Sequence, residues 1–153
     1  MNHGDAIETR FEPPRRQDAK ECRHVKVEPS READDVAAKI VDAAFEVHRT
    51  LGPGYLEAVY EQALAVELRL RGLRFEQQKD FPITYKGELV GKGKLDFLVE
   101  GIVVVELKSV DKLIPFHKAQ VISYLKASGT QLGMLINFNE HLVRDGIRRI
   151  VFS

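Results

Sequence analysis

From residue 34 onward the apolar positions fall into regular spacings; before it they do not. Asp34 or Asp35 can cap a helix whose apolar residues Val36, Ile40, Ala44, Val47 and Leu51 recur at three- and four-residue steps, ended by Gly52-Pro53-Gly54. A second helix is predicted from about Leu56 to Arg71. It turns Leu56, Val59, Tyr60, Ala63, Leu64 and Leu68 inward, with Gly72 just past its end. Strand-like segments follow at Leu73–Gln78 and Phe81–Tyr85, then a Lys86-Gly87 turn and a strand over Leu89–Val99. Ile102–Leu107 begins with a β-branched, wholly apolar run and reads as a strand buried on both faces. A third helix runs from about Pro115, whose ring suits a first turn, to Ser128 before Gly129. Met134–Asn137 reads as another buried strand and Arg148–Phe152 as the last. This order predicts an α/β or α+β domain of three layers.

Residues 1–33 mix both signs of charge with Pro13, Pro14 and Pro29, and their apolar residues have no period. Such a segment cannot offset its ordering entropy by burial, so a disordered, charged extension is expected there, with one domain over residues 34–153. Across all 153 residues the charges balance, Lys+Arg 23 against Asp+Glu 23, so no global field draws the chain onto a polyanion. Any such grip rests on local patches such as Arg69, Arg71 and Arg74, or Arg144, Arg148 and Arg149. A solvated helix face and a charged edge strand explain these clusters at least as well. The lone Cys22 leaves no disulfide partner and no zinc or iron–sulfur spacing. No apolar run approaches the ~20 residues that span a bilayer, and no secretory leader is evident, so a cytoplasmic location is expected.

The candidate chemistry lies in Lys94–Lys108, KLDFLVEGIVVVELK. Charges at the end of a buried strand are costly unless they pair or hold a metal. Glu106 and Lys108 are two apart and share a side of their strand, and Gly101 marks a turn that folds Asp96 back towards them. Asp96 shares that side only if the connection around Glu100-Gly101-Ile102 has odd length or the pair carries a bulge. The odd register is predicted; two carboxylates and a lysine then converge in a divalent-metal site suited to phosphate chemistry.

Asp96 followed by Glu106-Leu107-Lys108, on this framework, resembles the PD-(D/E)XK nuclease superfamily. Gly54-Tyr55-Leu56-Glu57-Ala58-Val59-Tyr60 matches the G-x-x-E-x-x-Y signature of a small family within it. Gln120-Val121-Ile122-Ser123-Tyr124 matches the Q-x-x-x-Y helix motif of its exonuclease-like branch. Leu135–Asn139 and Asp145-Gly146-Ile147 resemble that family's C-terminus, so the likeness covers about residues 34–153.

The resemblance implies an α/β, restriction-endonuclease-like mixed sheet flanked by helices. It also implies a Mg²⁺- or Mn²⁺-dependent deoxyribonuclease that processes ends or single strands. Asp96, Glu106 and the Leu107 carbonyl would be metal ligands, with Glu57 holding a second ion or a metal-bound water. Lys108 would orient the attacking water and stabilise charge on phosphorus, and Gln120 and Tyr124 would contact the substrate. The expected partner is nucleic acid, DNA foremost, with specificity supplied by a homo-oligomer or a protein partner and no membrane involved. The alternative function is a non-catalytic nucleic-acid or protein-binding accessory protein that keeps the fold. Individually the residues have plainer readings: Glu57 as an acid near a helix start, Tyr60 as core, and Gln120 with Tyr124 as a packed helix face. His48 reads as a hydrogen-bonded core residue, His117 as a helix-surface histidine one turn before Gln120, and Lys94 as a phosphate contact beside Asp96.

Overall fold

The computed structural model describes residues 28–153. Its elements are α1 (Arg31–Leu51), α2 (Glu57–Leu70), β1 (Phe75–Tyr85), β2 (Glu88–Val99), β3 (Val103–Lys108), α3 (Pro115–Ser128), β4 (Leu132–Asn137) and β5 (Ile147–Val151). A short 3₁₀ turn, Val143–Gly146, leads into β5. The strands form one sheet in the order β1-β2-β3-β4-β5, parallel between β3 and β4 and antiparallel elsewhere. The predicted mixed sheet of an α/β fold is therefore present, with α3 as the crossover that a parallel pair requires.

Burial divides the sheet into two cores. On one face α1 and α2 bring Ile40, Ala44, Val47, Tyr60, Leu64 and Leu68 against Phe97, Val103, Val105, Leu107 and Ile136. On the other, Val121 and Leu125 of α3 meet Phe81, Leu95, Val104, Leu135 and Ile150. Each fully buried aliphatic side chain contributes on the order of 2 kcal/mol. The approach of α3 depends on Gly133 of β4, where a Cβ would stand 2.9 Å from Val121 Cγ1. Val103, Val105 and Leu107 belong to the first core and Val104 to the second, so alternation places Glu106 and Lys108 on the α3 face of β3.

Several expectations are corrected. Helix α1 starts at Arg31, ahead of Asp34 and Asp35, because Ser30 Oγ accepts the Ala33 N–H at 3.1 Å and so supplies the cap. Residues 1–27, most of the segment expected to be disordered, lie outside the described residues. Leu56 and Val59, expected inward on α2, are exposed; Tyr60, Leu64, Ala65 and Leu68 form its buried stripe. The two strands expected over residues 73–85 are one strand, β1. Lys79 and Asp80 do not interrupt it, because Lys79 pairs with Glu76 at 3.0 Å and Asp80 with Lys94 at 2.9 Å. Lys94 is thus engaged across the strand pair instead of standing free beside Asp96. The arginine clusters also meet local partners: Arg71 with Glu67, Arg74 with Glu100 and Arg149 with Asp34, while the Arg69 guanidinium lies over the Phe75 ring.

His48 is a core residue as expected, with Nε2 donating to the Glu140 carbonyl at 2.8 Å, which fixes its tautomer. Gly146 holds the same corner closed, since a Cβ there would lie 2.4 Å from the Asn137 carbonyl oxygen, a backbone atom with no room to yield. Gly146→Ala is expected to lower stability by about 1–3 kcal/mol through overpacking. The midpoint of urea unfolding checks this, and a midpoint equal to wild type would show that the corner relaxes. Among the described residues no helix is long and apolar enough to cross a membrane.

Candidate active site

The site forms where the sheet comes apart. The β2–β3 ladder pairs Val99 with Val103, Leu98 with Val104 and Phe97 with Val105, then stops. The connection from Val99 to Val103 holds the three residues Glu100, Gly101 and Ile102, the odd length predicted. Glu100 and Gly101 take φ 52 and 70, and the Ile102 N–H closes the turn on the Val99 carbonyl at 3.1 Å. Asp96 consequently faces Glu106 at the position just beyond the last backbone pair.

Side chains continue the ladder there. The Leu107 N–H donates to Asp96 Oδ2 at 2.8 Å, and the Asp96 N–H donates to Glu106 Oε1 at 3.2 Å. Each carboxylate satisfies a backbone donor that the separated strands would leave without a partner. On the other side of β2 the pairing also lapses opposite Asp96. Gln78 of β1 adopts φ 52, and its Nε2 donates to Asp96 Oδ1 at 3.2 Å. The kink has a packing consequence: Phe97 and Val99 face α1 and α2, whereas Leu95 turns to the α3 side. Asp96 occupies the crossing point.

Helix α3 closes the site from one side. Lys108 Nζ donates to Gln120 Oε1 at 2.9 Å, and Gln120 Nε2 donates to the Tyr124 hydroxyl at 3.0 Å. Phe81 packs edge-on against the Tyr124 ring, centroids 5.0 Å apart, and fixes the tyrosine. His117, expected as a helix-surface histidine, is partly exposed on α3, and its Nδ1 accepts the Ile114 N–H at 3.1 Å, which caps the start of the helix. Helix α2 closes the other side, placing Glu57 at its first turn and Glu61 one turn later. The geometry of Gly54, Glu57 and Tyr60 has a physical basis. Gly54 takes φ 110, and the fully buried Tyr60 donates its hydroxyl to the Gly52 carbonyl at 2.5 Å while accepting the Tyr55 N–H at 3.2 Å. The Tyr60 ring stacks on Phe138 at 4.7 Å, so the loop that aims Glu57 is pinned to the core.

The electrostatics follow from this enclosure. Burial foremost, then the charge of Asp96, pushes the Glu106 carboxyl up to about 8. Burial also raises Asp96, against the Leu107 hydrogen bond that lowers it, and Glu61 adds to the rise. Glu57 reaches solvent yet is also raised, by partial burial and by Asp96, with Lys108 opposing. Tyr124 is raised by burial and by the nearby Glu106. One ammonium thus faces three carboxyl groups that resist ionising together, an arrangement that a divalent cation relieves.

The donor set fits such an ion. Among the described residues Glu106 Oε2 accepts no hydrogen bond, and Asp96 Oδ1 holds only the Gln78 amide. The N–H and carbonyl of a strand residue point to the same side, so the Leu107 carbonyl turns towards the gap left by β2. No three His, Cys, Asp or Glu side chains among the described residues form a ready cage. Two carboxylates supplemented by main chain, water and substrate oxygens is the usual manner of Mg²⁺.

Besides Gln78, three participants were not apparent in the sequence. Glu61 accepts amide N–H groups from Gln77 and Gln78, and through Gln78 it steadies Asp96. Its only signal is a spacing of four from Glu57. Asn137 is wholly buried; its side chain exchanges bonds with the Val110 N–H (3.0 Å) and carbonyl (2.9 Å), clamping the loop that follows Lys108. An Asn ending an apolar strand was the available hint. Ser109, beside Lys108, ties that loop to the segment leading into α2 by donating its hydroxyl to the Tyr55 carbonyl at 2.7 Å.

A family profile described as the PD-(D/E)XK nuclease superfamily matches residues 34–150. Among solved structures, a crystal structure of SSO0001 is similar at 23% identity and a TM-score of 0.44, over 60% of this chain and 46% of that one. This chain therefore spans less than half the length of that neighbour. No curated protein matches.

Proposed function

We propose that this chain, which belongs to the PD-(D/E)XK nuclease superfamily, hydrolyses phosphodiester bonds of DNA with Mg²⁺ or Mn²⁺, as a member of its GxxExxY family. The supporting observation is the pair of carboxylates that replaces the last rung of the β2–β3 ladder, with Lys108 beside it. A sheet that ends on a buried acid whose pKa is raised by burial and by a neighbouring carboxylate marks a functional site, here one suited to a cation and a phosphate. Superfamily membership implies a nucleic-acid substrate and, typically, a divalent metal. The metal would be held by Asp96, Glu106 and the Leu107 carbonyl, with Glu57 at the rim, and would supply Lewis acidity towards a phosphoryl oxygen and its water.

The chain's own groups account for the rest. Lys108, held by Gln120, presents its ammonium to the attacking water and to charge growing on phosphorus. Gln120 and Tyr124 share a helix face and present an amide and a hydroxyl to a substrate oxygen. Gln78 and Glu61 keep Asp96 in place, and Asn137 keeps the end of β3 from moving with the loop beyond it. The signature residues fit this reading: Gly54 and Tyr60 set the loop, and Glu57 faces the acids.

Purified protein is expected to degrade DNA with Mg²⁺ or Mn²⁺, to stop with EDTA, and to lose turnover in Asp96→Ala. Gel assays on single-stranded, blunt, overhanging and circular DNA, with RNA alongside, check this. Inactivity on all of them with both metals would favour the alternative of an accessory protein that binds through the same cleft.

A further inference from the structure

Two exposed aromatic rings stand at the mouth of the site. Tyr55, 49% exposed, and Leu56, 81% exposed, immediately precede Glu57 at the start of α2. Phe116, 66% exposed, and Ile114, 51% exposed, lie at the start of α3. Both groups are tied to Lys108. Tyr55 is linked through its carbonyl to Ser109, the next residue, and Phe116 stands one helical turn before Gln120, which accepts from Lys108. Phe116, Gln120 and Tyr124 are spaced by four along α3, so Phe116 extends the row that lines the site by one turn, about 6 Å, towards solvent. The Tyr55 ring meets the buried Tyr60 edge-on, centroids 6.1 Å apart, and leaves the rest of its surface open; neither core includes Phe116, whose exposed ring returns little packing energy.

Charge accompanies the rings. Between Ser109 and Lys118 the chain carries Lys112 and Lys118 against a single acid, Asp111. Lys112 and Lys118 are exposed and form no ion pair among the described residues. Cations for phosphates beside open rings for base faces is the combination that holds unpaired polynucleotide strands. A duplex buries its base faces by stacking and leaves such rings nothing to cover. A protein partner would use the apolar rim but would have no need of a phosphate site between its halves.

We propose that Tyr55 and Phe116 are stacking platforms for bases on either side of a strand phosphate drawn to Lys108, which makes the substrate an unpaired strand or a frayed end. This rests on reading the cleft as a polynucleotide site; it does not rest on turnover. The rings select for exposed bases, whereas the lysines contribute affinity without regard to pairing.

The test is fluorescence anisotropy with the full chain in EDTA, which stops metal-dependent turnover so that binding alone is read. The probes are a short fluorescein-labelled single strand, an abasic strand of equal length, and the blunt duplex. The intact strand is expected to bind at least about ten-fold tighter than either of the others. Tyr55→Ala and Phe116→Ala should each weaken the intact strand by about five- to a hundred-fold and leave the abasic strand unchanged. Phe116→Tyr should bind as wild type, and the dependence on salt should stay the same in all variants, because the phosphate contacts remain. Equal binding of intact and abasic strands, or alanine variants that bind as wild type, would overturn the proposal. If no nucleic acid is cleaved but the stacking pattern holds, the hydrolase reading fails and this one survives. Cleavage that is indifferent to the rings gives the reverse.

Discussion

Glu106→Gln is expected to stop hydrolysis and, at the same time, to make the protein without metal more stable above neutral pH. The Glu106 carboxyl is pushed up to about 8 by burial and by Asp96, against an ordinary value of 4.5 in the unfolded chain. Between those values the folded state holds a proton that the unfolded state has released. Stability from this group is therefore complete below about pH 4.5 and is lost as pH rises through about 8. The loss is on the order of a few kcal/mol. Glutamine stays neutral at every pH, keeps the oxygen that accepts the Asp96 N–H, and occupies nearly the same volume. Urea midpoints at about pH 6 and about pH 8.5 should fall with pH for wild type and change much less for the variant. Mg²⁺ should restore the wild type at high pH, because a cation stabilises the ionised pair. Equal slopes in the two proteins would refute this account of the acids.

Lys108→Met is expected to lower kcat by about a hundred- to a thousand-fold while leaving the fold intact, since loss of one well-placed donor to a developing oxyanion costs about that much. Methionine fills the volume of the lysine stem but presents no ammonium to the water. The loss of the Nζ bond frees the Gln120 carbonyl oxygen, which is half-exposed and can turn to solvent. Metal binding by calorimetry should survive in this variant and be lost in Asp96→Ala. A Lys108→Met protein with normal turnover would remove the lysine from the mechanism and leave the acids in place.

The legible parts of the fold are those where burial forces a single answer. A β-branched run as apolar as Ile102–Val105 has no alternative to a central strand, and the register across Glu100-Gly101-Ile102 then decides where Asp96 points. Helix α3 begins at Pro115 and ends before Gly129 as the sequence predicts, since proline suits a first turn and Gly129 takes the left-handed cap at φ 70. At the periphery the same rules lose force. The edge strand β1 looks interrupted because Lys79 and Asp80 need only a cross-strand or neighbouring partner, not burial. Leu56 and Val59 look like core because helical spacing does not show where a helix emerges from its layer. Glu61 and Gln78 were hidden for another reason. Their roles come from the φ 52 kink at Gln78, which no local composition signals. The site residues that the motifs pointed to stand near one another, but the groups that hold them come from tertiary geometry.

The bonds between Asp96 and β3 also make the site observable from within. The Leu107 amide proton rests on one oxygen of Asp96 and the Asp96 amide proton on one oxygen of Glu106. An amide shift in solution NMR responds to the charge of its acceptor, so these two resonances report separately on the two acids. Protonation, cation uptake and arrival of a phosphate each redistribute charge on those oxygens in a different way. The chain therefore carries a pair of native probes at the seam between β2 and β3, readable without any label or substrate, and both exist because the last rung of the sheet is made by side chains.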